Sequence, residues 1–140
     1  MAPDQPASSN GIGRNGALVI FGSGPGIGAH VATRFAREGF RRIILLSRNR
    51  TRLSDDAFMV RSQVPRTNID FVSVDLASEM SLASAFREIE SFLGDVPVEC
   101  VLYNAAKVDP SELLEFPMQD FRQALHVSQR ALRYFRPGRG

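Results

Sequence analysis

Gly22, Gly24, Gly26 and Gly28 crowd into one short stretch directly after an apolar run, and no other part of this sequence is as well suited to binding an anion. Without a Cβ, glycine reaches backbone angles that other residues resist, and a pyrophosphate can come up against the main chain itself. The spacing fits the dinucleotide fingerprint G-x-G-x-x-G loosely: it runs Gly22-x-x-x-Gly26-x-Gly28, with Gly24 as an extra glycine inside. Where such a turn binds a dinucleotide, a residue about 20 positions further on meets the adenosine ribose, and an acid there suits NAD. Arg48 occupies that position. A guanidinium attracts a 2′-phosphate and offers it two parallel hydrogen bonds, so the expected cofactor is NADP(H), with Ser47 and Arg50 as further donors. The plainer alternative makes Arg48, Arg50 and Arg52 a solvated basic loop; their place directly after a second apolar run weighs for phosphate binding.

Four other groups invite a chemical reading. Tyr103-Asn-Ala-Ala-Lys107 has the spacing Tyr-x-x-x-Lys, in which an ammonium would lower the pKa of a phenol that passes a proton. Tyr103 ends an apolar run and Pro110 follows Lys107 closely, so a shared helical face is not expected and the pair receives no catalytic role. His126 reads as a packing or surface residue, and Arg130, Arg133 and Arg136 as the solvated end of a helix rather than a nucleic-acid stripe. Cys100, the single cysteine, sits in an apolar run and reads as a buried, inert thiol. No catalytic residue and no metal ligand is assigned.

The elements that must position these groups follow from periodicity. Residues 17–21 (ALVIF), 42–47 (RIILLS), 68–74 (NIDFVSV) and 98–103 (VECVLY) read as strands, the first as one buried on both faces. Between them lie helical patterns. The first starts near Gly26, carries Ile27, Val31 and Phe35 on its apolar face and stops at Gly39. The second is expected over 55–63, with Asp55 and Asp56 at its N-terminus, Phe58 and Arg61 setting its faces and Pro65 ending it. The third is capped by Ser78 or Ser81, buries Leu82, Phe86, Ile89 and Leu93, and ends at Gly94. The fourth runs from about Met118 to Phe135 with Phe121, Leu125, Leu132 and Phe135 on one side. Strand and helix alternate four times, which specifies an α/β fold: a Rossmann-type, doubly wound parallel sheet with right-handed crossovers.

The chain has 140 residues, 44% of them hydrophobic and 23% charged, enough for one domain with a real core. The net charge is only +2, and Lys107 is the one lysine among its basic residues. Residues 1–15 read as a flexible polar leader and 16–140 as the dinucleotide-binding domain. No stretch reads as a signal peptide or membrane anchor, so a cytoplasmic, reducing location is expected, with no membrane or nucleic-acid partner.

From residue 17 to the last helix the sequence resembles the short-chain dehydrogenase/reductase family. Gly22-x-x-x-Gly26-x-Gly28 resembles that family's TGxxxGxG, with Phe21 in place of the usual threonine. Ser47-Arg48 is similar to its NADP-preferring strand end, Asp75-Leu76 to the pair that contacts adenine, and Tyr103-Asn104-Ala105-Ala106 to its NNAG motif. The resemblance thus implies a cofactor site made of Gly22, Ser23, Gly24, Gly26, Ile27 and Gly28 in the turn, followed by Ser47, Arg48, Asp75, Leu76, Asn104 and Ala105. It also implies a sheet in the order 3-2-1-4.

The departures bear on activity. Ser128 stands where the family has an asparagine that organises the active site, and the family's catalytic Ser and Tyr-x-x-x-Lys lie beyond a fifth strand that this sequence does not show. The expectation is therefore the cofactor-binding half of an NADP-dependent carbonyl or alcohol oxidoreductase, a truncated chain with an incomplete sheet, inactive alone. Its substrate would be a small carbonyl or alcohol if completed, and self-association through the exposed fourth strand is expected. The rivals are a catalytically empty nucleotide-binding or interaction protein and a non-functional remnant.

Overall fold

The computed structural model describes residues 16–22, 28–104 and 118–135, with the side chains of 118–121 left aside. Strands β1 (Ala17–Phe21), β2 (Arg42–Ser47), β3 (Asn68–Ser73) and β4 (Val98–Tyr103) alternate with helices α1 (Gly28–Arg37), α2 (Arg50–Gln63), α3 (Glu79–Leu93) and α4 (Met118–Tyr134). The sheet is parallel throughout and ordered β3-β2-β1-β4, as the family resemblance implies. The leader proposed for residues 1–15 lies outside the described residues.

The strand β1 is apolar at every position because it has no solvent face: all five residues are fully buried. Side chains alternate across a strand, so Ala17, Val19 and Phe21 join one core with α3 and α4, while Leu18 and Ile20 join the other with α1 and α2. Pairing with β4 slips by one residue between Ala17 and Leu18, leaving Glu99 as the extra residue of a bulge beside Gly16. None of the helices among the described residues is long and apolar enough to cross a membrane.

The inner faces of three helices differ from the sequence expectation. In α1 the buried residues are Ala29, Ala32, Thr33 and Ala36, with Val31 and Phe35 packing at the rim; Ile27 lies outside the described residues. Small side chains let this helix lie close to the sheet, and the larger ones fill its flanks. The helix α2 begins five residues earlier than expected, at Arg50. Its cap is Asn49, whose side chain accepts a hydrogen bond from the Arg52 N–H at 3.1 Å, so Asp55 and Asp56 fall inside the helix and Asp56 is buried. Leu53, Ala57 and Val60 form its inner face, and Phe58 points to solvent.

The helix α3 follows the expected pattern, burying Leu82, Phe86, Ile89 and Leu93 and ending at Gly94, whose φ is 57°. Ser78 is its cap, while Ser81 accepts a hydrogen bond from the Asp75 N–H instead. In α4 the inward residues are Val127 and Ala131, joined by Tyr134 and Phe135; Leu125 and Leu132 are exposed, contrary to expectation. Phe86 is the centre of this contact, stacked on Tyr134 at 4.9 Å and edge-on to Phe135 at 5.5 Å and Phe21 at 6.3 Å.

Candidate functional site

Four parallel strands deliver their C-terminal ends to one edge of the sheet, and the order β3-β2-β1-β4 places the reversal of winding between β1 and β4. Ligands of open α/β sheets bind outside this edge at such a switch point. The registers align Phe21 with Leu46 and Tyr103, and Ser47 with Ser73. The next level therefore holds Gly22, Ser47 and Asn104. The ladder continues there: Gly22 N–H donates to the Leu46 carbonyl at 2.7 Å, Asn104 N–H to that of Phe21 at 2.7 Å, and Val74 N–H to that of Ser47 at 2.9 Å.

Gly22 leaves the sheet with φ 86°, a conformation that a side chain would strain. Ser23, Gly24, Gly26 and Ile27 lie outside the described residues. Gly28 is buried and is the first residue of α1, at the positive end of that helix.

At the end of β2, Ser47 Oγ accepts a hydrogen bond from the Asn49 N–H at 3.3 Å and keeps its own hydrogen as a donor. Arg48 is exposed; its carbonyl accepts from Ser73 Oγ at 3.3 Å, which ties the turn to β3 while its guanidinium makes no bond to another described residue. Arg50 is placed differently, with Cζ 5.4 Å from the centroid of the Phe71 ring. Beyond β3, Asp75 is held on three sides: its N–H donates to Ser81 Oγ at 2.9 Å, its Oδ1 accepts from Ala77 N–H at 3.0 Å, and its carbonyl accepts from Ser78 N–H at 3.0 Å. Leu76 packs half-buried on the α3 core. Thus Gly22, Gly28, Ser47, Arg48, Asp75, Leu76 and Asn104 gather along one edge, whereas Ala105 lies outside the described residues.

Tyr103 is the last residue of β4 and half-buried against the α3 and α4 core; Lys107 lies outside the described residues. His126 is a surface residue engaged by Glu79, and Arg130 reaches the other oxygen of the same carboxylate at 2.7 Å. This clasp joins α4 to the first turn of α3, and Glu79 was not singled out by sequence reasoning. Ser128 is half-buried on α4. Cys100 is half-buried, and burial pushes its thiol pKa up, which leaves it less nucleophilic. Among the described residues no cluster of three His, Cys, Asp or Glu side chains is arranged to hold a metal.

Residues 16–134 match the short chain dehydrogenase family. Over 113 residues the sequence is 27% identical to an uncharacterized oxidoreductase of Thermotoga maritima, covering 79% of this chain and 41% of that protein. The structure is similar to L-sorbose reductase from Gluconobacter frateurii, solved with NADPH and L-sorbose: TM-score 0.69, 25% identity, 91% of this chain and 49% of that one. It is also similar in fold to NAD+-bound xylitol dehydrogenase, with TM-score 0.67 and 23% identity over 88% of this chain and 49% of that one. The chain thus spans about half the length of these relatives.

Proposed function

The chain belongs to the short chain dehydrogenase family, and from that membership we propose that the carboxyl edge of its sheet binds NADP(H) for an oxidoreductase acting on carbonyl or alcohol groups. The observation that carries this reading is the row of Gly22, Ser47 and Asn104 with Arg48 one step beyond it. When bound, a nicotinamide dinucleotide supplies or accepts the hydride. The chain's own part is to hold it: Gly22 and the start of α1 for the pyrophosphate, Arg48 and Ser47 for the 2′-phosphate, Asp75 and Leu76 for the adenine. Relatives of this fold carry NADPH or NAD+, so the choice of NADP(H) rests on Arg48. The domain proposed is residues 16–140, in the cytoplasm, where a lone cysteine stays reduced.

Binding without turnover is the expected behaviour of these 140 residues alone. Tyr103 ends strand β4, so it lacks the helical setting in which the spacing Tyr-x-x-x-Lys brings a phenol and an ammonium together. General acid–base catalysis contributes about 10² to 10⁴ in rate. NADPH oxidation against a panel of carbonyl compounds, with Tyr103→Phe and Lys107→Ala as controls, tests this. Turnover that either substitution abolishes would show the pair to be catalytic.

A second reading, an interaction protein on the same fold, is favoured by the place of β4 at an edge of the sheet formed by the described residues. Apart from Glu99 this strand carries no charge and no proline to discourage pairing. Self-association through it should appear in sedimentation as a concentration-dependent species; a monomer at all concentrations would remove this reading.

A further inference from the structure

We propose that Phe71 limits the chain's preference for a 2′-phosphorylated dinucleotide by holding the Arg50 guanidinium away from the site. The inference rests on the dinucleotide reading above and deepens it. Arg50 is the first residue of α2, exposed, and only two positions from Arg48, so its long side chain has the reach to join Arg48 at a phosphate. It does not do so: its Cζ lies 5.4 Å from the centroid of the Phe71 ring, within the range of a cation–π contact.

The register shows what that contact costs the site. Phe71 pairs with Leu45, two residues before the level of Ser47 and Ser73, and its side chain packs on the core beneath α1 and α2. Two strand residues span about 6.6 Å, so the ring sits roughly that far below the edge at which Arg48 projects. Arg50 is thereby folded back along the flank of the sheet. Both residues are near solvent, Phe71 half-buried and Arg50 exposed, and at such a site the contact favours the folded-back position by a factor of about two to five. Arg48 is left as the guanidinium that meets the 2′-phosphate, and Phe71 acts as a positioning residue on the selectivity between the two cofactors.

The experiment compares dissociation constants for NADPH and NADH in the full chain. Phe71→Leu keeps an apolar side chain on the core but removes the π face; it should raise the NADPH preference about two- to fivefold. Phe71→Tyr keeps the face and should leave the ratio as in the wild type. Adding Arg50→Ala to Phe71→Leu should abolish the rise and give the ratio of Arg50→Ala alone, which a general loosening of packing would not do. Arg50→Ala alone, which removes an exposed side chain, should lower the ratio, and by less than Arg48→Ala does. An unchanged or lowered ratio in Phe71→Leu, or a loss in Arg50→Ala as large as that in Arg48→Ala, would overturn the proposal while the cofactor reading stands. Failure of the wild type to bind either dinucleotide would overturn the cofactor reading and this proposal with it.

Discussion

Arg48→Asp should turn the cofactor preference from NADPH towards NADH. Arg48 follows the last residue of β2, exposed, with a guanidinium that bonds no other described residue. Its backbone is nonetheless fixed, because its carbonyl accepts from Ser73 and the neighbouring Asn49 caps α2. A hydrogen bond to a charged group contributes about 1.5–3 kcal/mol, so losing the pair should weaken NADPH by about ten- to a hundredfold. The aspartate goes further, repelling a 2′-phosphate and accepting a hydrogen bond from a 2′-hydroxyl. Fluorescence titration of both cofactors into wild type and variant reads the change. If the two bind the wild type equally and the substitution alters neither, Arg48 has no part in selection.

Phe86→Ala should cost about 3–5 kcal/mol, a large share of the roughly 5–15 kcal/mol that holds a domain of this kind together. Phe86 is fully buried, and its ring meets Phe21 from the sheet and Tyr134 and Phe135 from the end of α4. Removing it opens a cavity where α3, α4 and the sheet converge. Leu132→Ala is the matched control, since Leu132 is 63% exposed and should move stability by no more than about 0.5 kcal/mol. Urea denaturation of the two variants distinguishes them. Equal losses would mean that α4 packs through Leu132, against the contacts described here.

The contrast between those residues also shows how far this fold is legible in its sequence. The strands β1, β2 and β4 span the residues read from the sequence, and β1 and β2 are marked by contiguous apolar runs because their inner residues are buried on both faces of the sheet. The helix α3 is equally legible, since its inner residues Leu82, Phe86, Ile89 and Leu93 are large. Elsewhere, weight given to large side chains misleads. The buried positions of α1 and α4 are mostly small residues, Ala29, Ala32, Thr33, Ala36, Val127 and Ala131, while Phe58, Leu125 and Leu132 stand in solvent.

The site divides in the same way. The strand order brings Gly22, Arg48, Asp75 and Asn104, residues named from the motifs, to one edge of the sheet. Contacts between elements remote in sequence were not visible. The start of α2 is set locally by Asn49, which caps the helix through the Arg52 N–H, ahead of the aspartates that the sequence suggests. The stacking of Arg50 on Phe71 depends on the β2–β3 register, and the clasp of Glu79 on His126 and Arg130 on how α4 lies against α3.

The most direct test of the central claim follows backbone amide resonances of the chain as NADPH, and separately NADH, is added. If the carboxyl edge is the cofactor site, the amides of Gly22, Ser47, Arg48, Asp75 and Asn104 shift together and saturate, at lower concentration for NADPH than for NADH. Shifts confined to other surfaces, or no saturable shift with either cofactor, would contradict it.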